Sequence, residues 1–204
     1  MNENSLIAGM DEAGRGSLIS RVYTAIVVLP ENFKELCEEE NVIIRDSKKM
    51  TKRQRDRSRL FIEEHAVDYN VQFVEHDTID KIGILNATFL SMNRCVDALH
   101  VVIDKLLVDG DCYQNHRKDI PHECVIRGDD QVMEIACASI LAKTYRDEYV
   151  TQLYRDHSDL LGKYGIQTNM GYGTKVHMDA IQQFGFTCYH RKSFCRSSFS
   201  FFKK

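Results

Sequence analysis

Short apolar runs closed by glycine, proline or acid alternate along the chain with stretches in which apolar positions recur every three or four residues. The first run, Leu6 to Met10, predicts a short strand covered on both faces, because continuous apolar residues bounded by glycine leave no solvent-facing side. It leads straight into Asp11-Glu12-Ala13-Gly14-Arg15-Gly16. Val22 to Leu29, β-branched and aliphatic and stopped by Pro30, predicts a second strand joined to the first by a tight connection. Glu31 to Ile44 is an acidic surface helix or loop, and Val71 to Val74 a third strand. Ile79 to Leu85 forms a turn into what should be the longest helix, whose apolar stripe runs through Leu85, Phe89, Met92, Val96 and Leu99. Lys105 to Asp111 repeats the opening design, an apolar strand ending in Asp109 and a glycine. Val125 to Asp129 suggests a further short strand and turn. Val132 to Val150 predicts a helix whose small residues, Ala136, Cys137, Ala138, Ser139 and Ala142, allow close packing on a sheet and bring Lys143, Arg146 and Asp147 near the site at its far end. Another helix is expected near Val176 to Phe184.

Acids at strand ends carry the candidate chemistry. Successive strand side chains point to opposite faces, so Asp11 and Glu12 share one site only if the backbone turns where they occur. Gly14 and Gly16 permit such a turn, and Arg15 between them supplies a planar positive group suited to phosphate. If the strands before Asp11 and Asp109 lie side by side and parallel, both acids reach the sheet edge where α/β proteins place ligands. Acids beside a phosphate reader point to metal-assisted phosphodiester chemistry.

Composition narrows the class. A chain of 204 residues with 43% hydrophobic positions suits one domain with a real core. A net charge of -3 gives no global sign of nucleic-acid binding, so that reading rests on local clusters. Arg45 to Arg59 carries eight basic residues against Asp46 and Asp56, and Tyr189 to Lys204 carries five and no acid. Thr51 and Gln54 fit a capping box that opens a helix over Lys52 to Ala66. Its basic first turns oppose the helix dipole, which a phosphate backbone would explain; a solvated helix start is the alternative. Seven cysteines without regular spacing suit reduced thiols in the cytoplasm. Cys112, His116, His122 and Cys124 match no common zinc spacing and by default are scattered loop residues. No secretion-signal layout opens the chain, and no apolar run approaches the roughly 18 residues that span a bilayer. The glycine- and aromatic-rich tract from Lys163 to Lys175 could expose a ring for stacking on a base or sugar.

Taken together these stretches resemble the ribonuclease HII family, from about Leu6 to Phe194. Asp11 to Gly16 resembles the family's opening signature, Asp46-Ser47-Lys48-Lys49 its second block and Leu107-Val108-Asp109-Gly110 its third. Ala138 to Lys143, running on to Arg146-Asp147, is similar to the fourth, and Gly171-Tyr172-Gly173-Thr174 and His190 to Phe194 to the last two. The resemblance implies an α/β ribonuclease H-like fold, a central mixed β-sheet flanked by helices, in one catalytic domain over residues 1-204. Within it, about 151-204 would be a small helical C-terminal extension that binds substrate.

The resemblance further implies that Asp11, Glu12, Asp109 and Asp147 are catalytic and hold two divalent ions, Mg²⁺ or Mn²⁺. The expected activity is cleavage of RNA in RNA–DNA hybrids and 5′ to single ribonucleotides in duplex DNA, leaving 5′-phosphate and 3′-hydroxyl ends. Gly14, Arg15 and Gly16 would read the ribonucleotide's 2′-hydroxyl, and Tyr172 would pack on the next sugar. Lys48, Lys143 and Arg146 would contact phosphates or support the acids. Ser17 and Arg21 stand where the family usually has prolines, a change expected to loosen the loop after Gly16. Phe199-Ser200-Phe201-Phe202 faintly resembles a sliding-clamp-binding peptide, without its glutamine. A monomer away from membranes is expected. Two other classes stay open: a catalytically silent nucleic-acid-binding module on the same fold, and a nucleotide-binding Rossmann enzyme, for which Ile19 stands in place of the third glycine.

Overall fold

A computed structural model describes residues 5–195; the clamp-like Phe199 to Phe202 lies outside them. Five strands, β1 (Ile7–Ala13), β2 (Val22–Val28), β3 (Asp68–Val74), β4 (Lys105–Asp109) and β5 (His122–Val125), form one sheet in the order β3-β2-β1-β4-β5. β1 pairs antiparallel with β2, and β2 with β3, whereas β1–β4 and β4–β5 are parallel, so the sheet is mixed. The register Ile7↔Lys105 to Met10↔Val108 sets the ends of β1 and β4 at one edge.

The strand pattern sends alternate residues to two cores. On one face Ala8, Met10, Ile26, Val28, Leu106 and Val108 pack against Phe89, Met92, Cys95 and Val96 of α4 (Ile84–Asp97). On the other, Ala25 and Val27 meet Cys137, Ala138, Ile140 and Leu141 of α5 (Met133–Asp156), with α2 (Lys52–His65) behind them. Every position of β2 is buried, and each fully buried aliphatic side chain contributes roughly 1.5–3 kcal/mol. The small residues of α5 let it approach so closely that a Cβ on Gly9 would run into the backbone of Glu134 and Ile135.

Several boundaries differ from the sequence pattern. β1 does not stop at Met10: Asp11, Glu12 and Ala13 still pair with Ala25, Thr24 and Tyr23, so the backbone turns only at Gly14, where φ is +89°. β3 begins at Asp68, since β2 offers partners along its whole length. α4, at 14 residues, is not the longest helix; α5 has 24, because Leu153 and neighbouring apolar groups bury its last turns. The fifth strand precedes the expected one, and Arg127 in the left-handed region (φ 57°) turns the chain into a 3₁₀ turn at Gly128–Asp130. Leu85, placed on the core stripe, is 42% exposed.

The remaining helices are α1 (Phe33–Glu39), α3 (His76–Ile82), α6 (Ser158–Leu161), α7 (Ile166–Asn169), α8 (Lys175–Phe184) and α9 (Lys192–Cys195). Those after α5 share a third core with Leu18, Ile19, Val150 and Leu153. Bridges Ser17↔Tyr172 and Ile19↔His190 zip the β1–β2 loop to this C-terminal part.

Candidate active site

β1 and β4 end at a cleft of about 560 Å³ lined by Asp11, Glu12, Gly14, Arg15, Lys48, Asp109, Lys143 and Tyr172. Pairing with β4 stops at Met10, which leaves that edge of β1 open beyond it, so the two successive acids face one cleft without a turn between them. Asp11 is 4% exposed. Burial, with the charges of Glu12 and Asp109, lifts its carboxyl well above the usual range. Burial also raises Glu12, against the pull of Arg15, whose Nη1 lies 3.1 Å from its Oε1. Asp109 is raised by burial first and then by the charge of Asp129, even though its Oδ1 accepts the Gly128 N–H at 2.7 Å.

Basic groups face these acids from other elements. Thr51 and Gln54 form the expected reciprocal cap of α2, and the 3₁₀ turn before it carries Lys48. Lys48 Nζ is 3.4 Å from Asp129 Oδ2; burial works against its charge, but Asp129, Asp11 and Asp46 together raise its pKa. Most of the basic run is held by the protein itself. Arg55 donates to the carbonyls of Ser47 and Met50, Arg57 to that of Glu40, and Arg59 bridges Glu63 and Glu148.

Three expected residues do not line this cleft. Asp147 lines a neighbouring groove between α2 and α5; its Oδ2 lies 2.8 Å from Lys143 Nζ and its Oδ1 3.0 Å from Arg146 Nη1. One helical turn separates it from Lys143, whose side chain lines the cleft, so the pair stands at the cleft's border. Arg146 is completely buried and in this position makes no phosphate contact; it ties Ser17, Met170 and Asp147 together and lies 4.8 Å from the centroid of the Tyr172 ring. Gly16 is exposed and does not line the cleft. Nor is the loop after Gly16 loosened: Ser17 donates to Ile19 and Gly171 carbonyls, and Arg21 stacks on Phe73 and Tyr149 while pairing with Glu75 at 2.6 Å.

Asp129 is the acid that the strand pattern missed. It is buried, it bears on Asp109, and it contacts Lys48. Its signal was present as an acid just after a short apolar run and a glycine, in Arg127-Gly128-Asp129. Among the described residues no three acid, histidine or cysteine side chains close into a ready metal cage. In chemical kind the donors fit a divalent cation: hard carboxylate oxygens, crowded and raised by one another's charge, lacking the counter-charge that such an ion brings. The zinc-like residues are separated in use, His116 pairing with Asp97 and His122 stacking edge-on with Tyr113.

A mixed sheet with acids at parallel strand ends, facing lysines and an exposed arginine, defines a ribonuclease H-like nucleic-acid hydrolase. The model of the Ribonuclease HII family matches residues 8–201. A ribonuclease HII of Christiangramia forsetii is 44% identical over 193 residues, 95% of this chain and 92% of that protein. The chain belongs to the ribonuclease HII family and is an endoribonuclease. Among solved structures, the ribonuclease H2 of Pyrococcus horikoshii superposes with a TM-score of 0.77 at 22% identity, covering 98% of this chain and 99% of that one. A Bst-RNase HIII in complex with Mn²⁺ has a TM-score of 0.68 at 18% identity, covering 93% of this chain and 64% of that one.

Proposed function

We propose that this ribonuclease H type 2 enzyme cleaves RNA in RNA–DNA hybrids and also nicks duplex DNA on the 5′ side of a lone ribonucleotide. Water adds to phosphorus, the bond to the 3′ oxygen breaks, and the products carry a 5′-phosphate and a 3′-hydroxyl. The observation that carries this reading is the meeting of Asp11, Glu12 and Asp109 with Arg15, Lys48, Lys143 and Tyr172 in one cleft. Asp11, Glu12, Asp109 and Asp147 would hold Mg²⁺ or Mn²⁺, with the buried Asp129 beside Asp109. Two such ions supply an activated water and charge stabilisation at the leaving oxygen. Mn²⁺ in the related RNase HIII complex supports the choice of metal.

The chain's own groups do the rest. Lys48 and Lys143 draw phosphates to the acids, the Gly14–Gly16 turn contacts the ribose 2′-hydroxyl that separates RNA from DNA, and Tyr172 packs on the following sugar. The protein works as a single-domain monomer in the cytoplasm, with residues 151-204 as the substrate-binding extension. Among the described residues no helix is long and apolar enough to cross a membrane.

The test uses two labelled duplexes with Mg²⁺, one all DNA with a single ribonucleotide and one a long hybrid, with Asp109→Asn in parallel. Both are cut by the native chain, the first 5′ to the ribonucleotide, and Asp109→Asn loses roughly a thousandfold, about 4 kcal/mol of barrier. Cutting confined to the long hybrid would overturn the roles given to Gly14–Gly16 and Tyr172.

A further inference from the structure

Arg191 comes from the far end of the chain and is fully buried beneath the β1–β2 loop. Among the described residues it forms no ion pair. Burial and the nearby charge of Arg146 push its pKa down to about 9, which leaves it a cation at neutral pH. A buried, unpaired cation is costly, so what it holds in exchange is informative. Its Nη1 donates to the carbonyls of Gly14 at 2.8 Å and Arg15 at 3.0 Å, and its Nε to that of Ser20 at 2.8 Å. Its Nη2 is buried without a partner. Its own N–H bonds Leu18 O at 2.8 Å, beside the Ile19↔His190 bridge, so the guanidinium is anchored from its backbone as well.

The consequence follows from peptide geometry. In a trans peptide unit the N–H points opposite to the C=O. With the carbonyls of Gly14 and Arg15 drawn in to one guanidinium, the N–H groups of Arg15 and Gly16 turn away from it. Both residues are exposed, and neither N–H has an acceptor among the described residues. Two successive N–H groups turned the same way make a concavity for an electron-rich oxygen. We propose that Arg191 is a positioning residue of the ribonucleotide contact: it orients the Gly14–Gly16 turn so that the N–H pair of Arg15 and Gly16 binds an oxygen of the ribonucleotide. Lysine, a point charge without a planar fork, cannot hold three carbonyls in this arrangement. The inference rests on the reading of Gly14–Gly16 as the ribonucleotide contact, and adds the residue that makes that turn competent.

Arg191→Lys and Arg191→Gln are compared with the native chain on the lone-ribonucleotide duplex and the long hybrid. A lone ribonucleotide offers one 2′-hydroxyl and a hybrid many, so kcat/KM falls roughly tenfold more on the first substrate, chiefly through KM. The Arg15 and Gly16 amide resonances move in the variants. A parallel loss on both substrates, or unchanged selectivity with those resonances in place, overturns the role of Arg191 while leaving the proposed function standing. A native chain that does not cut at the lone ribonucleotide removes the reading beneath it instead. Should both variants fail to fold, the metal-free native chain is titrated with the ribonucleotide duplex and its all-DNA counterpart. Movement of the two amides with the first alone upholds the outward N–H pair; equal movement, or none, overturns it.

Discussion

At the scale of single residues, the division of labour among the acids decides the chemistry. Asp147 has an oxygen on Lys143 and an oxygen on Arg146, and Asp129 has one on Lys48. Burial and the charge of Asp129 raise the cost of ionising Asp109, which awaits a counter-charge. Asp147→Asn is expected to weaken Mn²⁺ binding, measured by calorimetry, by roughly tenfold or more, and Asp129→Asn, which removes a charge beside Asp109 rather than a ligand, by no more than about threefold. The opposite order would put Asp129 in the ligand set in place of Asp147.

At the scale of elements, two histidines join α8 to the segment before α9. Thr187 N–H donates to His190 Nδ1 at 2.9 Å, so His190 carries its proton on Nε2 and gives it to His177 Nε2 at 3.1 Å. His177 in turn donates from Nδ1 to the Tyr172 carbonyl at 3.0 Å. Both rings must be neutral for this chain of bonds to stand. Burial lowers both pKa values, that of His190 to about 3. Since the unfolded chain takes up protons near pH 6.5 and the folded one does not, stability is full above that value and falls as pH drops toward 3. Urea unfolding at pH 5 is expected to show about 2 kcal/mol less stability than at pH 7.5, a difference reduced by half or more in His190→Asn. An unchanged difference would place the acid sensitivity elsewhere. Tyr172 is thus held from its carbonyl by this relay and beside its ring by Arg146, two supports that no local pattern around Gly171-Tyr172-Gly173 announces.

At the scale of the whole molecule, the fold draws negative charge from separate strands to one sheet edge, and a cation that binds there binds the native state alone. Mg²⁺ at a hundred times its dissociation constant is expected to raise stability by about 2.7 kcal/mol, seen as a higher melting temperature that EDTA reverses and Asp109→Asn abolishes. A melting temperature indifferent to Mg²⁺ would argue against the acids as its ligands. Most strand and helix types and the α2 cap were legible in the sequence, because apolar period and cap chemistry are local. So were the acids, lysines and Tyr172 as candidates, through motifs whose residues are close in the chain. The parallel run of β1 and β4 was only a condition there, and Ile79 to Leu85, read as a turn, belongs mostly to α3 and α4. Tertiary structure alone decided that β1 runs on through its two acids, that Asp129 meets Asp109, and that Arg191 lies beneath the turn at Gly14. Each depends on what a distant segment places opposite: β2 keeps supplying ladder partners, the turn after β5 brings Asp129 to Asp109, and the C-terminal segment returns to the first loop. Long-range pairing and burial set charge and orientation, and neither is written in the residues nearby.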